Sequence, residues 1–378
     1  MNFDLNEEQQ LFAATLKRFL DRDYAFETRR RIIASGAGFS EDIWRSLAEL
    51  GALALPVPAD FGGLGGGAVE LISTMEAFGD ALVVEPFVST IGLGARLITL
   101  AGTAAQKQRV LSRVADGTMR LALAHAEANA RYDLSQVATR AVRDADGYRI
   151  TGAKSTVLDA PMANRLIVSA RSSDAKGSRL VLLLVDPAAA GISMRARRTL
   201  DGRRAADIAL DDVSVPVEDA LDDDGEGPAM VEHAVDFAAA LVCAEAVGAM
   251  RSANDATLEY LKTRRQFGVA IGSFQALQHR MVDMVIAAEQ ARSMASLACA
   301  AVDSEANATR RRHMVSAAKI KIADACRHIA QESVQLHGGM GMSDEMKVSH
   351  TFRRLTAIAQ EFGDVDHHLE RFAATAEG

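Results

Sequence analysis

Apolar positions along this chain change their period twice. From residue 3 to about 115 they recur at three- and four-residue intervals, the repeat of an amphipathic helix. Leu11, Phe12, Leu16, Phe19 and Leu20 follow Asn6, and Ile43, Trp44 and Leu47 follow Ser40, Glu41 and Asp42, so each set starts behind a capping residue type. From about Met119 the runs shorten and gain β-branched residues: Leu121–Ala124, Tyr148–Thr151, Leu166–Ala170, Leu180–Val185 and Ile208–Val215. Turn formers separate them, among them Asp144–Gly147 and Asp186–Pro187. The helical period returns in four long segments, Ala229–Arg264, Phe274–Asp303, Ala308–Leu336 and Asp344–Ala374, a set suited to a bundle. The pattern predicts an α+β protein: an N-terminal helical domain (1–116), a β-barrel or sandwich domain (117–222) and a C-terminal four-helix bundle (223–378). The polar stretch Asp222–Pro228 reads as the linker into the bundle.

Composition narrows the function classes. The 378 residues are 49% hydrophobic and 24% charged, an ordinary globular balance. A net charge of -8 and pI of about 5.7 do not suggest a nucleic-acid partner. Arginines cluster at 29–31, 195–198, 203–204 and 310–312, but acidic residues surround most of them and they read as solvated surface. The three cysteines, Cys243, Cys299 and Cys326, lie far apart without a C-x-x-C pair, as expected of buried free thiols in a reducing compartment. The acidic N-terminus lacks a secretory pattern, and no apolar run of about 18 residues suggests a membrane span, so a cytoplasmic protein is expected. No metal set is apparent: His367 and His368 lack metal-spaced partners and read as part of a polar helix.

Two motifs invite ligands. Gly63, Gly65 and Ala68 match G-x-G-x-x-A by spacing, but Pro56 and Pro58 precede them in a helical region, where the motif lacks its strand and hence its mechanical meaning. The stretch Tyr260–Met284 is more informative. It begins as a helix, breaks at Gly268, crosses Gly272 and resumes with Phe274, Leu277, Met281 and Met284 on one face. Arg264 and Arg265 are placed to hold an anion beside the flat ring of Phe267. The plainer reading is a solvated arginine pair next to a core phenylalanine.

The motif R-x-x-F-G at Arg264–Gly268, then I-x-x-F-Q-x-x-Q-H at Ile271–His279 and Q-L-H-G-G-M-G at Gln335–Gly341, resembles the C-terminal domain of FAD-dependent acyl-CoA dehydrogenases, and the likeness extends over nearly the whole chain. It implies that family's domain order, an acyl-CoA substrate, and an electron-transfer flavoprotein as acceptor. The chemistry needs a buried carboxylate as general base, donors to polarise the thioester carbonyl, and a fixed flavin ring. In the family, one subunit supplies the flavin-ring pocket and its neighbour holds the ADP end. By resemblance, Arg264 pairs with the pyrophosphate, Phe267 packs beside the cofactor with Gln275 nearby, and Gln335, Gly338 and Gly339 line the adenosine portion, with His337 at its edge.

The flavin-ring half departs from the family. Where it carries T-E-P-x-A-G-S-D, this chain has Ala124–Asp133, keeping Glu127 and Asp133. Ala126 and Ala128 replace the Thr and Pro, and bulky Arg131–Tyr132 replace Gly-Ser at the expected substrate entry. In the K-x-W-I-T-N-G segment, Lys154 is kept while Thr156 stands for the flavin-covering Trp and Leu158 for the Thr. Counting from Phe352-Arg353-Arg354, the usual base position falls on Phe362, and the alternative on the first bundle helix falls near Ala238. Glu361 and Asp236 are the neighbouring carboxylates.

These features suggest a subunit of a heterotetrameric enzyme. The runs A-H-A-E-x-x-A-R-Y-D, C-A-E-A-V-G-A-M and F-G-D-x-D-H-H-L resemble the small subunit of the pimeloyl-CoA dehydrogenase type, which implies a larger partner subunit and a dicarboxylic or bulky acyl chain. Two alternatives stand beside it: a self-sufficient homotetramer with a displaced base, and a non-catalytic scaffold.

Overall fold

Asn6 Oδ1 accepts from the Gln9 amide at 2.8 Å, and Gln9 Oε1 accepts from the Asn6 amide at 3.0 Å, closing the capping box that starts the first helix. The computed structural model describes residues 6–174, 177–221 and 226–376; the linker residues Asp222–Gly225 lie outside these. Six helices come first: α1 (Glu7–Asp23), α2 (Phe26–Ala34), α3 (Glu41–Glu49), α4 (Ala68–Ala81), α5 (Arg96–Ala101) and α6 (Ala104–Ala115). Seven strands follow: β1 (Leu121–Ala124), β2 (Arg140–Arg143), β3 (Gly147–Leu158), β4 (Arg165–Asp174), β5 (Gly177–Val185), β6 (Ile192–Arg198) and β7 (Arg204–Pro216). The last part comprises α7 (Gly227–Thr263), a hairpin of β8 (Arg265–Gln266) and β9 (Val269–Ala270), then α8 (Gln275–Ser304), α9 (Ala308–His337), α10 (Lys347–Ile358) and α11 (Val365–Ala376). Helices, then sheet, then helices is the order the apolar periods predict.

Two compact units emerge, the first made of Met1–Arg30, Gly67–Val83 and Ala239–Gly378, the second of Arg31–Gly66 and Val84–Ala238. The second unit is built on a sheet of order β1-β4-β2-β3-β7-β6. β4 is its hub: one edge pairs with β1 and then β2 in parallel, and the other pairs along its length with antiparallel β5. Tyr148, Ile150, Leu166, Val168, Leu183, Ile208 and Val215 fill its core. β2 and β6 are not foreseen by the apolar pattern, because Arg140–Arg143 and Ile192–Arg198 alternate with arginines and are largely exposed. Trp44 is buried in the middle of α3 and donates to Gly117 O at 2.8 Å.

In the first unit, α4 and α7 approach until their backbones nearly touch. A Cβ on Gly79 would collide with Glu245 O, and one on Gly248 would collide with Glu76 O, so the crossing tolerates no side chain on either helix. The first amides of α4, at Ala68 and Val69, donate to the Asp303 carboxylate at 2.8 Å each. No strand precedes α4 among the described residues, so the glycine pattern before it is a loop whose following helix already has its anion. The predicted fourth bundle helix is two: α10 and α11 are separated because Phe362 and Gly363 adopt φ of 59° and 122°, outside any right-handed helix. One helix, Gly227–Thr263, is long and apolar enough to cross a membrane by length and composition, but 89% of its apolar window is buried in the fold. The three thiols are buried and free, and burial raises all three, Cys243 to about 11.

Candidate functional site

α7 ends earlier than its sequence suggests. Thr263 turns its hydroxyl back to Glu259 O at 2.8 Å, and the chain then forms the β8–β9 hairpin in place of the expected helix up to Gly268. The two central residues of the hairpin, Phe267 and Gly268, have φ of 54° and 80°. That is the left-handed pair that matches strand twist, a conformation glycine adopts freely and an aromatic residue adopts at a cost. Phe267 is nonetheless 90% exposed, its ring T-shaped to that of Phe274 at a centroid distance of 6.2 Å. A bulky apolar residue held strained in solvent gains nothing from its own fold, which is the signature of a contact made with something else.

Arg264 stands one residue before this hairpin, exposed, and among the described residues nothing is seen to pair with its guanidinium. Arg265 Nη2 is instead used internally, donating to Gly268 O at 3.2 Å. Gln275 is the exposed first residue of α8, Gln335 is exposed in the last turn of α9, and Gly338 and Gly339 are exposed just beyond it. A Cβ on Gly339 would meet nothing within 4 Å and its φ is not left-handed, so the fold itself does not ask for glycine there. Close approach by a ligand would. Free guanidinium, exposed ring and bare backbone fit the pyrophosphate and adenosine of FAD.

The arms carrying these groups are joined. Ile271 N donates to Arg264 O at 2.8 Å, Arg280 of α8 pairs with Glu332 of α9 at 2.5 Å, and the rings of Tyr260 and His337 stack at 4.6 Å. His337 is not the loop residue the sequence suggests but the buried last residue of α9, its Nδ1–H donating to Ser333 O at 2.7 Å. Burial lowers its pKa below the usual histidine value, so it stays neutral.

The neighbourhood of the usual base position is closed rather than open. Glu361 lies in the turn after α10, not on a helix, and both its oxygens accept from Arg354, at 2.8 and 3.1 Å. The same guanidinium forks onto Glu245 at 2.6 and 2.8 Å, with the side chains 3% and 1% exposed. Buried Lys319 donates to Ile358 O and Glu361 O at 2.9 and 2.7 Å. His368, buried on α11 contrary to the polar reading of that helix, donates through Nε2 to Phe362 O at 3.1 Å. Burial, then the charge of Lys319, takes its pKa down to about 2. The turn is thus held by four side chains, and Phe362 presents no carboxylate. Asp236 is 1% exposed, covered by its own fold.

In the second unit, Glu127 is an anchor. It accepts from Lys154 Nζ at 2.8 Å, from the amides of Ala138 and Thr139 at 2.8 and 3.0 Å, and from Thr139 Oγ1 at 2.7 Å. Burial opposes its ionised form, but these bonds outweigh burial and hold the carboxyl at about 2. Lys154 also donates to His125 O and Ser169 Oγ, at 3.1 and 3.2 Å, and Ser169 lies 2.9 Å from His125 Nδ1. Burial, then the Lys154 charge, lowers His125 to about 4. Thr156 sits in a β-bulge at φ 54°, its amide donating to Asp207 at 3.0 Å, with the Arg197–Asp207 ion pair beside it. Arg131 lies over the Tyr132 ring at 5.6 Å. Among the described residues no aromatic ring contact is seen at Thr156, where the resemblance expects a Trp over the flavin, so this bulge by itself offers no flat cover for a flavin ring. Four of these groups were legible only as charged residues at apolar positions of helices: Glu245, Lys319, Arg354 and His368.

Known proteins are similar throughout. The chain matches the family models described as the N-terminal, middle and C-terminal domains of acyl-CoA dehydrogenase over residues 6–118, 122–213 and 225–376. It is 29% identical over 378 residues to the probable acyl-CoA dehydrogenase YngJ of Bacillus subtilis, covering 98% of each chain. It is 28% identical over 354 residues to the caffeyl-CoA reductase-Etf complex subunit CarC of Acetobacterium woodii, covering 92% of each. A solved variant of the Tcur3481-Tcur3483 steroid ACAD superposes with a TM-score of 0.87 at 29% identity, covering 98% of each chain.

Proposed function

Since the chain belongs to the acyl-CoA dehydrogenase family, FAD-using oxidoreductases that act on CH–CH groups, we propose that it is a subunit of a heteromeric member of that family. In this reading it holds the ADP end of a flavin whose ring lies in a neighbouring, larger subunit. The reading rests on one contrast: the grip residues Arg264, Phe267, Gln275, Gln335, Gly338 and Gly339 are complete and face outward, while position 362 holds Phe in place of the base. Arg264 binds pyrophosphate oxygens, Phe267 covers the cofactor edge, and the glycines admit its backbone-close approach. FAD, when bound, supplies the hydride acceptor for α,β-dehydrogenation of an acyl-CoA thioester, and the partner supplies the carboxylate that takes the α-proton. The likeness to CarC, a subunit of a caffeyl-CoA reductase-Etf complex, and to the steroid ACAD supports an electron-transfer flavoprotein as acceptor and a bulky acyl chain as substrate. Three buried free thiols suit the reducing cytoplasm.

Purification of the chain alone and with the subunit that co-purifies from its host tests this. The lone chain is expected to be colourless and inactive, and the assembly to carry one flavin per partner subunit. Stoichiometric flavin and full turnover from the lone chain would refute the proposal.

A further inference from the structure

We infer that Tyr260 and His337 form a positioning joint for the flavin grip, setting the distance between its arginine arm and its glycine arm. The inference rests on the grip assigned above. The two rings stack at a centroid distance of 4.6 Å and an interplanar angle of 28°. Each ring is one step from a grip residue. Tyr260 O accepts from the Arg264 amide at 2.8 Å, so Arg264 leaves the helix directly above the tyrosine. His337 immediately precedes Gly338, whose amide bonds back to Gln335 O and starts the glycine turn.

The stack is therefore the point at which the ends of α7 and α9 are tied, and both ends project ligand-facing groups from it. His337 cannot swing. Its Nδ1–H is committed to Ser333 O and the residue is 3% exposed. Tyr260 is half-buried and no hydrogen bond to its hydroxyl is seen among the described residues, so its ring, not its oxygen, is what the joint uses. The Arg280–Glu332 pair ties the remaining arm, leaving Gln275 on a helix fixed to the same α9. Pre-set spacing matters because a two-point grip loses affinity when the points must be ordered at each binding event.

The test uses the native assembly, isolated through a tag on this chain, stripped of flavin and titrated with FAD. Tyr260→Leu and His337→Ala are expected to weaken FAD about 5- to 10-fold, the range of one lost aromatic pair. Tyr260→Phe stays within about twofold of wild type in FAD affinity because the ring remains. A purely structural pair would lower the melting temperature of the apo-assembly and leave FAD affinity intact, which overturns the inference. Arg264→Ala separates the two levels. If it weakens FAD while Tyr260→Leu and His337→Ala do not, the joint is wrong; if it has no effect on FAD, the grip reading itself falls.

Discussion

Replacing Arg354 by Met removes the guanidinium that Glu245 and Glu361 share. Glu245, whose side chain is 1% exposed, loses a bidentate partner, and Glu361, at 13%, loses two hydrogen bonds. Breaking a buried ion pair from one side costs about 3–5 kcal/mol, because the remaining charge stays desolvated without its partner. Against a total of about 5–15 kcal/mol for a folded domain, that is a large fraction. Two further variants calibrate the value. Glu361→Gln keeps an oxygen that accepts from Arg354 and loses only the charge, so about 1 kcal/mol is expected. Glu245→Met combined with Arg354→Met should be less destabilised than the sum of the single changes, since no charge remains stranded between these two positions. Urea unfolding followed by far-ultraviolet circular dichroism measures the wild type, Arg354→Met, Glu245→Met, their double variant and Glu361→Gln, and turnover of the assembly is measured alongside. The decisive result concerns Glu361→Gln. Wild-type stability with turnover reduced by about 10²–10⁴-fold would mean that Glu361 works as a displaced base, and the structural assignment would be wrong. Reduced stability with turnover retained is the expected outcome.

Three other perturbations probe separate parts of the chain. His125, held at about 4 against an ordinary 6.5, stays neutral in the fold while the unfolded chain takes a proton, so its contribution is complete above pH 6.5 and is lost as the pH falls toward 4. The full loss is about 3 kcal/mol, and His125→Gln should show a smaller fall in urea midpoint between pH 7.5 and 5 than wild type; an equal fall would refute the assignment. Phe267→Gly relieves an aromatic residue at φ 54° that is 90% exposed, so the lone chain should gain about 1 kcal/mol in unfolding experiments while the assembly binds FAD less tightly. Gly248→Ala places a Cβ against Glu76 O where the helices cannot part cheaply, and a loss of about 2–3 kcal/mol is expected from thermal melts; a neutral result would show that the crossing is not tight.

Much of this architecture is local, and local features are readable in one dimension. Period and punctuation placed the helical, sheet and helical stretches, because a helix or strand that buries one face must repeat its apolar residues at its own pitch. Asn6 and Ser40 fit as caps for the same reason, since a cap is satisfied within four residues. The candidate cofactor residues could be named from the family resemblance, which also pointed to position 362 and the missing carboxylate there. Strands β2 and β6 escaped because exposed, arginine-rich strands carry no apolar alternation and owe their form to neighbours in the sheet.

What required the folded chain is whatever depends on partners distant in sequence. Glu361 next to an empty base position looks like a substitute until Arg354 is found to hold it and Glu245 to share the hold, 109 residues away from that arginine. His337 looks like a loop residue until the Tyr260 ring is found against it. Lys319 looks like an ordinary helix lysine until its ammonium is seen closing the end of α10. A desolvated charge persists only where packing brings it a counter-charge or a carbonyl, and no spacing rule carries that information. The chain alone thus specifies which groups are present and which element each rides on, whereas tertiary packing ties up Glu361 and Glu245 and leaves Arg264, Phe267, Gly338 and Gly339 turned outward.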